Sequence, residues 1–321
     1  MSSAPRRTTV SLVLGSGGAR GYAHIGAIEE LQAQGFDIRS ISGSSMGALI
    51  GGVHATGKLD VYRDWVRPLQ RLDVWRLLDL TVSGGGFIKG DRIIAVMREL
   101  IGDVEIESLP IAYTAVAVDL DAQREVWFSR GSLFDAIRAS IAIPTLLRPH
   151  RYQGRLLVDG GLLNPLPVSP TLRDFTDITI AVDVNGNPDA VPELASGAGA
   201  TPELLPPDGA GATTARHGYA RRIGEFIESL VERRPGLPPD PPEPGAFDLF
   251  GRSLDMVQAT LTRLKLAAQP PDLLISVPRS ACAFYEFHRA DELIELGRRC
   301  TREALARREG GGEGPDCVIR K

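Results

Sequence analysis

The feature of the sequence that most constrains its fold is a pattern that occurs twice near its start. Residues 9–14, TVSLVL, are apolar and β-branched and run into the glycine cluster GSGGARG. Residues 38–42 run in the same way into GSSMG, which opens the small, apolar segment 46–55. A buried parallel strand that turns sharply into a packed helix has this composition. The pattern predicts strand–turn–helix units built around a parallel sheet.

The same alternation continues along the chain. Its periodicity predicts helices over residues 91–101, 133–140, 249–267 and 291–308, and strands over residues 111–118, 125–128, 155–158, 177–184 and 273–277. A hairpin is expected at residues 119–124, between the first two of these strands. Alternating strands and helices indicate an α/β layer fold with a mostly parallel sheet.

One long segment breaks the pattern. From about residue 185 to about residue 246 the chain is rich in Gly, Pro and Ala, which continue neither helix nor strand. Within it, residues 223–230 place apolar side chains at helical spacing, as expected of a helix docked on the body, of a lid or of a membrane-contacting helix. We therefore predict a short tail over residues 1–8, one domain over residues 9–308 with a flexible insertion at 185–246, and a disordered tail over residues 309–321.

Composition excludes several classes of function. The net charge of −4 gives no broad attraction to nucleic acid, and no nucleic-acid-binding signature is present. Cys282, Cys300 and Cys317 lack metal-ligand spacing and indicate reduced thiols, and no carboxylate cluster suggests calcium. No stretch approaches the roughly 20 apolar residues of a membrane span. We expect a cytoplasmic protein without metal or cofactor, able to contact a membrane surface peripherally.

The stretch GSSMG is the first candidate for chemistry. Between a strand and a buried helix, this spacing places the middle serine, Ser45, on a sharp turn above the edge of the sheet. Gly43 and Gly47 allow the chain to pass closely, and the N-terminus of the next helix favours negative charge nearby. Ser45 is therefore the candidate nucleophile, whereas Ser42 and Ser44 are interpreted as turn residues.

The glycine cluster that begins at Gly15 admits three interpretations. A dinucleotide fingerprint needs glycine where Arg20 stands, and a phosphate-binding P-loop needs Gly-Lys-Ser/Thr at its end. The third interpretation is a set of backbone N–H groups at a helix start with one cation beside them, which is an anion or oxyanion site. A merely structural tight turn also remains open.

A serine nucleophile needs a base, and two arrangements could supply one. Asp159 ends a predicted strand and precedes two glycines; if it reaches Ser45, it can accept the hydroxyl proton directly, with a pKa raised by burial. A Ser-Asp-His triad in chain order would instead need His217 or His288, the only histidines after Asp159. His288 lies among aromatic residues and is more typical of a packed side chain.

Four strings in order, LVLGSGGARGYAHIGAIEEL, GSSMGALIGG, ASIAIPTLLRP and VDGGLLNPLPV, resemble the patatin-like phospholipases, especially bacterial single-domain members and the catalytic domain of neuropathy target esterase. The resemblance extends from about residue 10 to 183 and more loosely over 272–305. It implies a three-layer α/β/α sandwich and hydrolysis of lipid acyl esters by a Ser-Asp dyad without histidine. It assigns Ser45 as nucleophile and Asp159 as its partner, and it gives the amides of Gly17, Gly18 and Ala19 to the oxyanion hole, with Arg20 as the adjacent cation. Ser16 departs from the family, which often has a third glycine there.

The sequence thus predicts a serine acyl hydrolase acting on phospholipid, lysophospholipid or a related ester through an acyl-enzyme. Arg20 is expected either to hold the glycine loop or to face a lipid phosphate. The alternatives are an esterase with a His288 triad, a transacylase, and a non-catalytic lipid- or anion-binding regulator. Head group, acyl length and oligomeric state have no signal in the sequence.

Overall fold

The computed structural model describes residues 6–77, 90–186 and 245–309. Their strands form one eight-stranded sheet: β1 (Thr9–Leu14), β2 (Asp37–Ser44), β3 (Ala112–Asp119), β4 (Arg124–Phe128), β5 (His150–Tyr152), β6 (Arg155–Asp159), β7 (Ile178–Gly186) and β8 (Leu273–Pro278). The helices are α1 (Ala23–Ala33), α2 (Met46–Ala55), α3 (Leu59–Val66), α4 (Arg71–Leu77), α5 (Asp91–Ile101), α6 (Leu133–Ser140), α7 (Ala246–Ala268) and α8 (Ala290–Glu309).

The parallel part of the sheet has the order β8–β7–β1–β2–β3, and each pair in it is parallel. The remaining strands, β4 and the β5–β6 hairpin, join β3 in antiparallel pairing. The fold is therefore α/β with a mostly parallel sheet, as the alternation of strands and helices predicts. The hairpin expected between β3 and β4 is also confirmed.

Alternate residues of the strands face two different layers. Val10, Leu12 and Leu14 of β1 enter the main core, which they share with buried side chains of α1, α2, α6 and α8. Val13 points the other way, into a smaller cluster that Leu266 of α7 covers. Because neighbouring side chains of a strand point to opposite faces, helices cover the sheet on both sides. The fold has three layers, α/β/α.

One edge of β3 brings the ends of two distant strands together. Residues 115–119 of β3 pair with β4 along one edge. On the opposite edge, β2 pairs up to Ser44, which lies across from Val116, and β6 pairs from Asp159, which lies across from Ala117. Since β2 and β6 run in opposite directions, their C-terminal ends meet at adjacent residues of β3.

Some elements were not anticipated from the sequence. They are the short helices α3 and α4 and the three-residue strand β5, although α3 does place Leu59, Tyr62 and Val66 at helical spacing. Asn185 and Gly186, at the start of the predicted insertion, belong to β7. The rest of that insertion up to residue 244, including the helix predicted at 223–230, lies outside the described residues. So do residues 1–5 of the predicted tail 1–8 and residues 310–321 of the predicted tail 309–321, whereas Glu309 belongs to α8. No helix of the described ranges has the length and apolar character that crossing a membrane requires.

Candidate active site

Ser45 stands at the turn between β2 and α2 in an unusual backbone conformation. Its φ of 55° and ψ of −122° are rare for a residue with a side chain. Its main-chain N–H donates to Ser140 Oγ at 2.9 Å, and the Ser140 hydroxyl donates to the Val116 carbonyl at 2.6 Å. The strained turn is thus fixed to the neighbouring strand β3 through one buried hydroxyl.

Gly47 allows the helix after Ser45 to begin directly against β1. A Cβ atom at Gly47 would lie 2.0 Å from the Leu14 carbonyl oxygen and 2.8 Å from that of Gly15. Only a residue without a side chain tolerates this approach. The nucleophile turn therefore packs against the start of the glycine cluster, and α2 also contacts the 3-10 helix at Gly18–Tyr22 within that cluster.

Asp159 is the partner of Ser45. The Ser45 hydroxyl donates to Asp159 Oδ2 at 2.6 Å, and the N–H of Gly161 donates to Asp159 Oδ1 at 2.7 Å. The residues are 114 positions apart in the chain, and the end-to-end meeting of β2 and β6 on β3 brings them together. Both side chains are almost fully buried, with Ser45 at 3% and Asp159 at 2% exposure.

Burial sets the protonation of this pair. It raises the pKa of Asp159 to about 7, against the opposing effect of the hydrogen bonds from Ser45 and from the Gly161 N–H. A carboxylate with this pKa can take a proton from a hydroxyl and return it near neutral pH.

The glycine loop offers fewer amides than expected. Ala19 donates its N–H to the Phe284 carbonyl at 2.8 Å, so this amide is already occupied. The buried N–H groups of Gly17 and Gly18 donate to no other residue in the described ranges. The loop thus presents two amides, rather than three, for an incoming oxygen.

Arg20 holds the loop and does not face solvent. Its side chain is 1% exposed and donates to the Gly17 carbonyl at 3.1 Å, the Arg279 carbonyl at 3.2 Å and Asp255 at 2.5 Å. Of the two roles expected for Arg20, the geometry fits the structural one. A lipid phosphate could reach this guanidinium only if the loop rearranged.

Among the described residues, no histidine bonds to Ser45 or Asp159. His288 accepts a hydrogen bond from Arg71 Nε at 3.2 Å, and His24 contacts the Gly15 carbonyl through Nε2 at 2.8 Å. Burial lowers the pKa of His24 and of His54 to about 4, so both are neutral packing residues. His217 lies outside the described ranges.

Cys282 and Cys300 are free and buried, and Cys317 lies outside the described residues. In the described ranges, no three His, Cys, Asp or Glu side chains are grouped to hold a metal ion.

Sequence reasoning missed two residues that support the site. Ser140 lies in the string ASIAIP, and Asn185 is the next-to-last residue of β7, where its side-chain amide donates to the Ser16 carbonyl at 2.8 Å. A small polar residue at the end of a helix or strand is too common to single out. Only the position of each one relative to a distant segment reveals its role.

An α/β/α fold with a buried Ser–Asp pair beside a glycine-rich loop is the arrangement expected of an acyl hydrolase. Comparison with known proteins agrees with this class. A family model described as patatin-like phospholipase matches residues 12–172. The chain belongs to the patatin-like phospholipase family.

Individual relatives give the same assignment. Uncharacterized NTE family proteins of Mycobacterium bovis and Mycobacterium tuberculosis are each 44% identical over 335 residues, which cover 95% of this chain and 92% of the relative. Lysophospholipase NTE1 of Debaryomyces hansenii is 33% identical over 188 residues, which cover 57% of this chain but 12% of that protein. The crystal structure of VipD from Legionella pneumophila is a remote neighbour, with a TM-score of 0.43 and 15% identity over 95% of this chain and 67% of that chain.

Proposed function

We propose that this protein is a serine lipid acyl hydrolase in which Ser45 and Asp159 form a catalytic dyad. The observation that carries the proposal is the 2.6 Å hydrogen bond from the Ser45 hydroxyl to a buried Asp159 carboxyl. Family membership supports lipid acyl hydrolysis in general, and this contact supports the particular pair.

The chemistry runs in two halves. Ser45 Oγ attacks the ester carbonyl as its proton passes to Asp159 Oδ2, and the amides of Gly17 and Gly18 stabilise the oxyanion that forms. Asp159 then protonates the departing alcohol oxygen, which leaves an acyl-enzyme on Ser45. Water attacks this ester, gives its proton to Asp159, and releases the fatty acid as the proton returns to Ser45.

The substrate is proposed to be a phospholipid, a lysophospholipid or a related acyl ester. The matching region of the yeast relative belongs to a protein named a lysophospholipase, which favours lysophospholipids as the first substrates to try. A cytoplasmic location and peripheral membrane contact remain proposals. Charging Phe226 and Ile227 in the predicted helix at 223–230 and measuring liposome binding tests the contact.

The decisive experiment compares wild type, Ser45→Ala, Asp159→Asn and His288→Ala on p-nitrophenyl acyl esters and on lysophospholipid, with folding checked by circular dichroism. We expect Ser45→Ala and Asp159→Asn to lose activity and His288→Ala to keep it. Loss in His288→Ala would instead favour a triad.

A second readout separates an enzyme from a binding protein. Wild type should react stoichiometrically with a fluorophosphonate at Ser45, and a regulator that only binds lipid or another anion should not. Transfer of the acyl group to an added alcohol acceptor, in place of release to water, would identify a transacylase.

A further inference from the structure

Two consecutive peptide groups in the glycine loop are held by their carbonyl ends. The Ser16 carbonyl accepts a hydrogen bond from the Asn185 side-chain amide at 2.8 Å, and the Gly17 carbonyl accepts one from Arg20 Nε at 3.1 Å. In a planar trans peptide, the N–H of the next residue points opposite to the carbonyl. Holding these two oxygens therefore fixes the directions of the Gly17 and Gly18 N–H groups.

Those two N–H groups are the ones the loop leaves open. Gly17 and Gly18 are buried, and neither amide donates to another described residue. A buried N–H without an acceptor is costly, so proteins rarely keep one without a use. Two such donors lie on adjacent residues, and each belongs to a peptide whose carbonyl oxygen is hydrogen-bonded. This arrangement matches an oxyanion hole that is formed before substrate arrives.

The two side chains that hold the peptides are themselves fixed. Asn185 is 5% exposed at the end of β7, where its own N–H donates to Asp183 Oδ1 at 2.9 Å. Arg20 is anchored at its far end by Asp255 of α7. Arg20 cannot turn away from the Gly17 carbonyl without breaking its ion pair with Asp255, and the bond from the Asn185 N–H fixes the main chain that carries the side-chain amide.

We propose that Asn185 is a positioning residue that, together with Arg20, orients the Gly17 and Gly18 amides toward the substrate oxyanion. This inference rests on the proposed function. Asn185 touches neither substrate nor dyad in this arrangement; it acts through the Ser16–Gly17 peptide, which it orients and polarises. Its contribution belongs to the transition state, because an ester carbonyl gains its full negative charge only there.

The test compares Asn185→Ala and Asn185→Asp with wild type on a soluble p-nitrophenyl ester. Aspartate keeps the size of asparagine but has no N–H to donate, so it separates the hydrogen bond from packing. We expect kcat to fall about 10- to 100-fold in both variants with KM nearly unchanged, somewhat less than the loss of an oxyanion donor itself. In Asn185→Ala, which adds no charge, the pH midpoint of kcat/KM should not move, since Asp159 is untouched.

Asn164→Ala is the matched control. Asn164 is also a buried asparagine, but its side-chain amide donates to Glu125 at 2.9 Å and not to a carbonyl of the glycine loop. We expect this control to keep its kcat per folded molecule, measured after thermal unfolding has established the folded fraction. Fluorophosphonate labelling of Ser45 should slow in parallel with kcat in the Asn185 variants, because the phosphonyl oxygen needs the same two amides.

The outcomes separate this inference from the proposed function. If wild type is active and folded Asn185→Asp has the same kcat, the inference is overturned and the hydrolase proposal stands. Wild type that neither turns over esters nor labels at Ser45 overturns the hydrolase proposal and, with it, this inference. If Asn185→Ala does not fold, the Asn185→Asp result decides alone, and a shared fall in kcat and rise in KM also counts against a positioning role.

Discussion

Asp159 is a carboxyl group in a place where an ionised side chain is unfavourable. The chain compensates it with two hydrogen bonds, from Ser45 and from the Gly161 N–H, and provides no cationic partner among the described ion pairs. Its pKa of about 7 shows that these bonds do not offset burial. The same imbalance makes the group a usable base at neutral pH, so stability and function oppose each other at this residue.

The pKa of Asp159 predicts how activity depends on pH. Only the carboxylate can accept the Ser45 proton, so kcat/KM should rise with pH and level off above about 7. The measurement is kcat/KM of wild type on a soluble ester from pH 5 to pH 9. A profile that is flat across pH 7 would contradict Asp159 as the base.

Stability should show the opposite trend. The folded pKa of about 7 lies above the ordinary aspartate value of 3.8, so the folded state binds the extra proton and loses stability as pH rises from about 4 to about 7. Asp159→Asn removes this penalty. In urea denaturation at pH 8, its free energy of unfolding should exceed that of wild type by on the order of a few kcal/mol. The difference should shrink at pH 5. An equal difference in free energy of unfolding between variant and wild type at both pH values would mean that burial does not disfavour the Asp159 carboxylate.

Ser140 gives a second prediction at the scale of one residue. Ser140→Ala leaves the Ser45 N–H and the Val116 carbonyl without their shared partner, which should destabilise the protein by about 1–3 kcal/mol. Because the Ser45 turn loses its anchor, kcat should fall as well. Ser11→Ala removes a buried hydroxyl on β1 that bonds to Thr176 and should lower stability without lowering kcat. An equal kcat in the two variants would show that Ser140 contributes to stability but does not position Ser45.

The sequence predicted the contact between Ser45 and Asp159 better than the residues that support it. Ser45 and Asp159 are marked by glycines that a strained turn and a close approach require, and these marks are local in sequence. Ser140 and Asn185 carry no such mark, because each one depends on which distant segment lies beside it. Ala19 illustrates the same limit: its amide was expected to be open, and the Phe284 carbonyl from the far end of the chain occupies it.

At the scale of elements, β3 sets the distance between nucleophile and base. Val116 and Ala117 are consecutive, and one pairs with the end of β2 while the other pairs with the end of β6. A slip of either strand by one residue would turn its side chains to the opposite face. The dyad is therefore as precise as the register of this one strand.

The bounds of some helices were predictable, whereas α3, which is as long as α6, and the short strand β5 were not predicted. The bounds of α2, α5 and α6 agree with those expected from periodicity, because each helix presents several apolar residues to the core. Strand β5 has three residues, and among the described strands it pairs with β6. Its existence follows from the hairpin with β6, which no local pattern encodes.

Gly47 provides the test at this scale. In Gly47→Ala the new methyl would meet the Leu14 carbonyl, so α2 must move away from β1, which should cost about 1–3 kcal/mol. Because Ser45 begins that helix, kcat should fall with stability. Gly245→Ala is the control, since no atom of the described residues, apart from its chain neighbours, lies within 4 Å of a methyl there. The measurements are chemical denaturation and ester kinetics on both variants. A Gly47→Ala variant as stable as wild type would contradict the close approach of Gly47 to the Leu14 carbonyl.

At the scale of the whole chain, residues after 245 complete the environment of the N-terminal motifs. Strand β8 pairs with β7, and α8 packs against α1 so closely that a Cβ at Gly26 would lie 1.8 Å from the Ile294 carbonyl oxygen. Asp255 and Phe284 hold Arg20 and the Ala19 amide. Residues from the last part of the sequence thus surround the glycine loop beside the Ser–Asp pair.

A truncation tests this dependence. A chain ending at Gly186 keeps Ser45, Asp159 and Asn185 but lacks α7, β8 and α8. We expect it to label with fluorophosphonate at least tenfold more slowly than the full chain, a loss of about 1.4 kcal/mol or more in transition-state stabilisation, because its glycine loop has lost its anchors. Co-expression with residues 245–309 should restore part of the rate. Labelling of the truncated chain at the full rate would show that the C-terminal part is dispensable.

The link from Arg20 to Asp255 bears on how relatives of this protein should be judged. The stretch that matches the family model, residues 12–172, contains Ser45 and Asp159 and ends before Asn185 and Asp255. A relative could keep every motif letter and still be a pseudoenzyme, if drift has removed an amide or a carboxylate much further along its chain. Inspection of the motifs would not reveal such a loss, whereas checking the positions that correspond to Asn185 and Asp255 would.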